Sequence, residues 1–93
     1  MYEEQRLEPR ERLALPLRLH DGSHAMTRDI SASGLYFEMD GEHDVEGLVD
    51  FEMQLPDLHM KFTAVGQIVR VEHKSGVTGV AVKLLSPRLE PIE

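Results

Sequence analysis

The sequence predicts an all-β domain: a small six-stranded antiparallel β-barrel with a flexible N-terminal arm and little or no C-terminal helix. Three observations carry this. Apolar and polar residues alternate with a period of two through much of the chain, as in strands with one buried face. Turn signals such as Asp21-Gly22 and Lys74-Ser75-Gly76 separate the alternating runs. No stretch carries the 3.6-residue period of an amphipathic helix. Closing such a sheet on itself removes its exposed edges, the usual solution at this size.

Each element follows from its residues. Residues 1–12 mix Glu3, Glu4, Glu8 and Glu11 with Arg6, Arg10 and Arg12 and show no clear period, so they read as a mobile arm or a short helical turn. "LALPLRLH" then places Leu13, Leu15, Leu17 and Leu19 on one face, and Pro16 argues for an edge or a bulge. Asp21-Gly22 predicts a type I′ turn into a second strand, from about Ser23 to Ile30. "LYFEMD" turns Leu35, Phe37 and Met39 inward, and "LVDFEMQL" does the same with Val49, Phe51, Met53 and Leu55. The long run "LHMKFTAVGQIVRVEH" starts with Leu58, Met60, Phe62 and Ala64 on one face. It changes face near Gly66, as a bulge would require. "GVAVKLL" is the last strand, and the two prolines of "SPRLEPIE" exclude a long C-terminal helix. The chain is thus one domain over 1–93, with an arm at 1–12, a barrel at 13–86 and a tail at 87–93.

Composition narrows the function classes. There is no cysteine, which excludes disulfides and thiolate metal sites, and His20 and His24 flank a hairpin turn instead of sharing a helical face. No metal or other cofactor is expected. A net charge of -7, from 17 acidic against 10 basic residues, argues against broad DNA or RNA binding, which needs a basic stripe. No apolar run approaches the roughly 18 residues of a membrane span, and "MYEEQRLEPRER" is unlike a secretion signal. A cytoplasmic protein without direct membrane insertion is expected.

"DISASG", Asp29 to Gly34, interrupts two strands with an acid, two serines and a glycine. On one reading it is a bulged turn, with Asp29 and Ser31 capping backbone N–H groups and Gly34 at positive φ. The other reading pairs it with "RLEPR", which sets Arg6 and Arg10 four residues apart just before the first strand. A guanidinium fork binds phosphate oxygens or the O6/N7 edge of guanine, while a carboxylate accepts from guanine N1 and N2. Ser31 can donate or accept, and Gly34 lets a ligand approach the backbone. Together these groups describe a receptor for a guanine nucleotide phosphate. Spacing leaves open whether Arg12, Arg28 or Arg70 supplement the set; the plainer reading of each is a solvated surface arginine.

With these residues in place, the sequence resembles the PilZ domain family, the bacterial receptors for cyclic di-GMP. The family's RxxxR motif reads here Arg6-Leu7-Glu8-Pro9-Arg10, and its (D/N)xSxxG motif reads Asp29-Ile30-Ser31-Ala32-Ser33-Gly34. "LPLRL", "GQIVRV" and "TGVAVKLL" are similar to family strands, so the resemblance covers most of the chain. It implies that Arg6 and Arg10 bind the phosphates and guanine of cyclic di-GMP, and that Asp29, Ser31 and Gly34 surround one guanine. It also implies a binding module and no enzyme, in which the arm orders on the ligand and signals to an unidentified effector protein. Family members often carry a C-terminal helix that "SPRLEPIE" does not supply, so a monomer or weak dimer is expected.

Two other readings were weighed. A protein-binding adaptor could keep the same barrel and bind no nucleotide, but would have no reason to keep both motifs. A hydrolase using Asp29, Ser31 and a histidine finds no histidine that local spacing places as base to Ser31.

Overall fold

A computed structural model describes residues 11–92. It contains seven strands: β1 (Glu11–Arg12), β2 (Pro16–Leu19), β3 (His24–Ile30), β4 (Gly34–Asp40), β5 (Leu48–Leu55), β6 (Met60–Lys74) and β7 (Val77–Pro91). A single 3-10 turn, Pro56–Leu58, joins β5 to β6, and the described residues contain no α-helix. The sheet order is β1-β3-β2-β5-β6-β7-β4, and pairing of β3 with β4 closes six of the strands into an antiparallel barrel. The expected arm at residues 1–10 lies outside the described residues.

The alternation seen in the sequence sets the inner face. Leu17, Leu19, Leu35, Phe37, Met39, Phe51, Met53, Val80 and Val82 are all buried. The Phe37 and Phe51 rings pack at 6.5 Å between centroids near the middle of this core. Burying one such ring contributes about 1.5–3 kcal/mol, so the inward stripe outweighs any single surface contact.

Several details correct the sequence reading. Glu11 and Arg12 are not arm but strand, pairing with Ile30 and Asp29. β1 and β2 lie along the same edge of β3, and Leu13–Leu15 bulge between them because three residues face two, Thr27 and Arg28. The bulge breaks the leucine phase, so Leu13 is 45% exposed while Leu17 and Leu19 remain inside. The turn after β2 is not type I′. Only Gly22 takes positive φ (94°), and Asp21 Oδ1 accepts from the Ser23 N–H at 2.8 Å in the four-residue loop between Leu19 and His24. The type I′ geometry occurs instead at Ser75-Gly76, both at positive φ. Leu58 is exposed at the end of the 3-10 turn, because His59 at φ 54° reverses the chain before β6 begins.

The face change expected near Gly66 is present, as two ladder slips that flank it. The ladder slips between Thr63 and Val65, and again between Ile68 and Arg70, where Val69 is the extra residue. β7 runs past residue 86 into the stretch read as a tail. Pro91 pairs with Met60, and the slip opposite Ala64 absorbs Ser86 and Pro87, with Ser86 at φ 51°.

Candidate functional site

The Asp-Ser-Gly turn lies between β3 and β4. The Ser31 N–H donates to the Gly34 carbonyl at 2.9 Å, and its hydroxyl reaches the same oxygen at 3.4 Å. Gly34 does not take positive φ. Glycine is favoured there for a different reason: a Cβ would lie 3.2 Å from the Val82 carbonyl, a tight contact where β4 runs close against β7. The Leu84 N–H donates to the Ser33 carbonyl at 2.8 Å and ties the turn to β7.

Asp29 owes its orientation to a bulge. In the pairing of β3 with β4, Thr27 faces Phe37 and Asp29 faces Tyr36, so Arg28 is the extra residue. Thr27 and Ile30 therefore point inward, and both Arg28 and Asp29 point out. Asp29 caps no N–H group. Its half-buried carboxylate makes no hydrogen bond or ion pair with any described residue.

A cross-strand row extends outward from it. Asp29 faces Tyr36, Tyr36 faces Ala81, and Ala81 faces Arg70. By strand spacing the row spans roughly 14 Å from end to end. The small Ala81 leaves a cleft of about 220 Å³, lined by Asp29, Ser31, Gly34, Tyr36 and Arg70 above Ala81 and Val82. A second concavity of about 530 Å³ adjoins it at Asp29 and Tyr36 and carries Arg12, Arg28 and Lys74 on its walls.

Tyr36 is fixed by its neighbours. It lies across Gly79, where a Cβ would collide with its hydroxyl. That hydroxyl donates to Glu72 at 3.2 Å. Burial and the Glu72 charge push the Tyr36 pKa up, so it stays protonated and donating. Burial acts to raise the Glu72 pKa, but hydrogen bonds from Tyr36 and Arg70 and the charges of Arg70 and Lys74 outweigh it and hold the carboxyl below its ordinary value.

Asp29, Ser31 and Gly34 thus come together on one cleft. Arg6 and Arg10 lie outside the described residues. Arg12, read as part of the arm, is the cross-strand partner of Asp29. Arg28 faces Glu38 at 3.7 Å in an exposed pair of the kind worth about 0–1 kcal/mol. The sequence reading missed Tyr36 and Glu72, and left open Arg70, which lines the small cleft. The signal for Arg70 was the phase of "QIVRVE": Ile68 and Val71 both suit an inner face, which leaves Val69 and Arg70 together outside. Another concavity, about 560 Å³, lies elsewhere, across β2, β5, β6 and β7. Its arginines pair with carboxylates on the same surface, Arg18 with Glu52 at 2.5 Å and Arg88 with Glu90 at 2.6 Å, and it includes no residue of the Asp-Ser-Gly turn.

Among the described residues no group of three or more His, Asp or Glu side chains is placed to hold a metal ion, and no helix is long and apolar enough to cross a membrane. No curated protein matches the chain closely enough to count as a relative. The family model of the PilZ domain, by contrast, matches residues 4–92, nearly the whole chain, and agrees with the closed barrel in which the Asp-Ser-Gly turn sits. The chain belongs to the PilZ domain family.

Proposed function

We propose that this protein binds cyclic di-GMP, with Arg6 and Arg10 on the ligand's phosphates and guanine, and Asp29, Ser31 and Gly34 around one base. The PilZ domain is a binding domain, generally a cyclic di-GMP receptor, and not a catalytic one. One observation carries the extension to these residues. Glu11, the chain neighbour of Arg10, pairs with Ile30 inside the Asp-Ser-Gly motif. Consecutive Cα atoms are about 3.8 Å apart, so chain connectivity keeps Arg10 within reach of the turn.

The carboxylate of Asp29, which has no partner among the described residues, supports the same reading. An anionic ligand needs cations for its phosphates and an acceptor for guanine N1 and N2, and each charge-assisted contact contributes about 1.5–3 kcal/mol. Ligand binding would hold the segment before β1 against the barrel and create a surface that a separate effector protein reads, a coupling of ligand affinity to conformation. The setting is a cytoplasmic one.

Calorimetric titration of the full chain tests this. Arg10→Ala and Asp29→Ala should each weaken cyclic di-GMP binding at least tenfold, with circular dichroism unchanged. Unaltered affinity in both variants refutes the site. No binding by the unmodified chain would favour the adaptor reading.

A further inference from the structure

Past Leu84 the outer edge of β7 pairs with no described strand: β4 leaves it at Lys83, and the Leu84 N–H donates to the Ser33 carbonyl of the turn. The backbone phase of this edge is fixed from the other side. The Ile92 N–H donates to the His59 carbonyl at 3.0 Å, so by alternation the main-chain groups of Glu90 and Arg88 also face β6. Those of Leu89 face outward, flanked by Pro87 and Pro91, which have no N–H to offer. Prolines at outward positions keep an edge from adding strands indiscriminately. What this edge leaves open is one donor and one acceptor, both on Leu89.

The side chains around that point are sorted by face. Leu89 is exposed and lies on the inner side of the sheet beside its cross-strand partner Phe62. Phe62 in turn packs on Phe51 with ring centroids 6.4 Å apart, so Leu89 is the exposed end of an apolar row that starts in the core. Arg88 and Glu90 point to the opposite face, where they pair with each other at 2.6 Å.

This edge is its own complement. A two-fold axis through Leu89 sets it antiparallel to Leu89 of a second copy, with Arg88 against Glu90 and Glu90 against Arg88. The central pair exchanges both N–H···O bonds. The two flanking pairs are of the non-hydrogen-bonded kind, in which side chains come closest, and each opposes a guanidinium to a carboxylate. Moving the two-fold register by two residues sets Glu90 against Glu90 in one direction and Arg88 against Arg88 in the other. Both shifts also place Leu89 opposite a proline.

We propose that two copies of this chain join through this edge, β7 against β7, so that β5, β6 and β7 of both copies form one continuous sheet. The two-fold contact consumes the edge in each copy, so association stops at the dimer. The contact is short, which makes the dimer weak and concentration-dependent. It does not depend on nucleotide binding.

Sedimentation velocity on the full chain without nucleotide, over a range of protein concentrations, tests this. The unmodified chain should pass from monomer to dimer as concentration rises. Arg88→Glu and Glu90→Arg each oppose like charges at both flanking pairs and should weaken association at least tenfold, with circular dichroism unchanged. The combined swap restores opposite charges and should recover the dimer. A cross-link fixes the place. The chain has no cysteine, and Cα atoms of a hydrogen-bonded antiparallel pair lie about 5.5 Å apart, within disulfide range. Leu89→Cys should therefore form a covalent dimer on mild oxidation much faster than Val69→Cys, whose site is 62% exposed against 57% at Leu89. A chain that stays monomeric at every concentration, with Leu89→Cys no faster than Val69→Cys, overturns the proposal. So does a dimer that both single charge variants leave unchanged, since association then belongs to another face.

Discussion

Thr27 sits inside the barrel with 0% exposure, where an apolar side chain would be expected. Its hydroxyl donates to the Leu13 carbonyl at 2.5 Å and accepts from the Leu15 N–H at 2.8 Å, replacing the ladder bonds that the bulge between β1 and β2 removes. Thr78, equally buried, does the same for the loop after β4, donating to the Gly41 carbonyl at 2.9 Å and accepting from the His43 N–H at 3.0 Å. Thr27→Val keeps the shape and removes the hydroxyl, leaving two partly buried backbone groups without partners. It should destabilise the protein by about 1–3 kcal/mol in urea unfolding. A loss near zero would show that water reaches Leu13 and Leu15. The sequence marks Thr27 as inward by phase alone. Nothing in it names the backbone groups across the barrel, because those depend on where a neighbouring strand slips. The same limit applies to Gly34, whose need for a bare backbone arises from the Val82 carbonyl on β7 and not from its own φ.

At the scale of elements, alternation was readable and slippage was not. β5 runs from Leu48 to Leu55, the bounds that the period-two pattern of "LVDFEMQL" indicates. The β6–β7 ladder slips twice, with Val69 extra on β6 and Ser86 and Pro87 set against Ala64, and only the pairing locates these slips. Gly66, the position the sequence suggests for the face change, has another role. A Cβ there would lie 2.9 Å from the Val82 side chain and 3.2 Å from Phe51, so the glycine lets β6 close against the core. Gly66→Ala should therefore overpack the barrel and cost about 1–3 kcal/mol, measured as a lower urea midpoint at constant slope. An unchanged midpoint would mean that Val82 gives way freely. β7 shows the opposite failure of sequence logic. Pro87 and Pro91 suggest a frayed tail, yet both are accommodated in a strand whose outer edge, past Leu84, pairs with no described strand.

For the molecule as a whole, charge decides both solubility and acid response. Asp21 is held below its ordinary pKa by the Ser23 N–H and hydroxyl, and Glu72 is held low because hydrogen bonds from Tyr36 and Arg70 outweigh burial. A carboxylate whose folded pKa lies below its unfolded one contributes stability above the unfolded value, and that stability is lost as pH falls through the folded value. The melting temperature should hold at mild acidity with respect to these groups and fall below about pH 4. The double variant Asp21→Asn, Glu72→Gln should flatten that fall; an equally steep fall would assign the acid response to other groups. The chain as a whole is acidic, while the site itself gathers Arg12, Arg28, Arg70 and Lys74 around Asp29 and Tyr36. That gathering follows from closure of the barrel through β3 and β4, which no local pattern states.

The central claim is that cyclic di-GMP seats on the row from Asp29 to Arg70. Amide chemical shifts of the isotopically labelled full chain, followed during a cyclic di-GMP titration, test it most directly. The account predicts saturable shifts at Ser31 to Gly34, Tyr36, Arg70 and Ala81, with Phe51 to Leu55 in β5 unmoved. Saturating nucleotide that moves none of the first group, or that moves β5 instead, would contradict it.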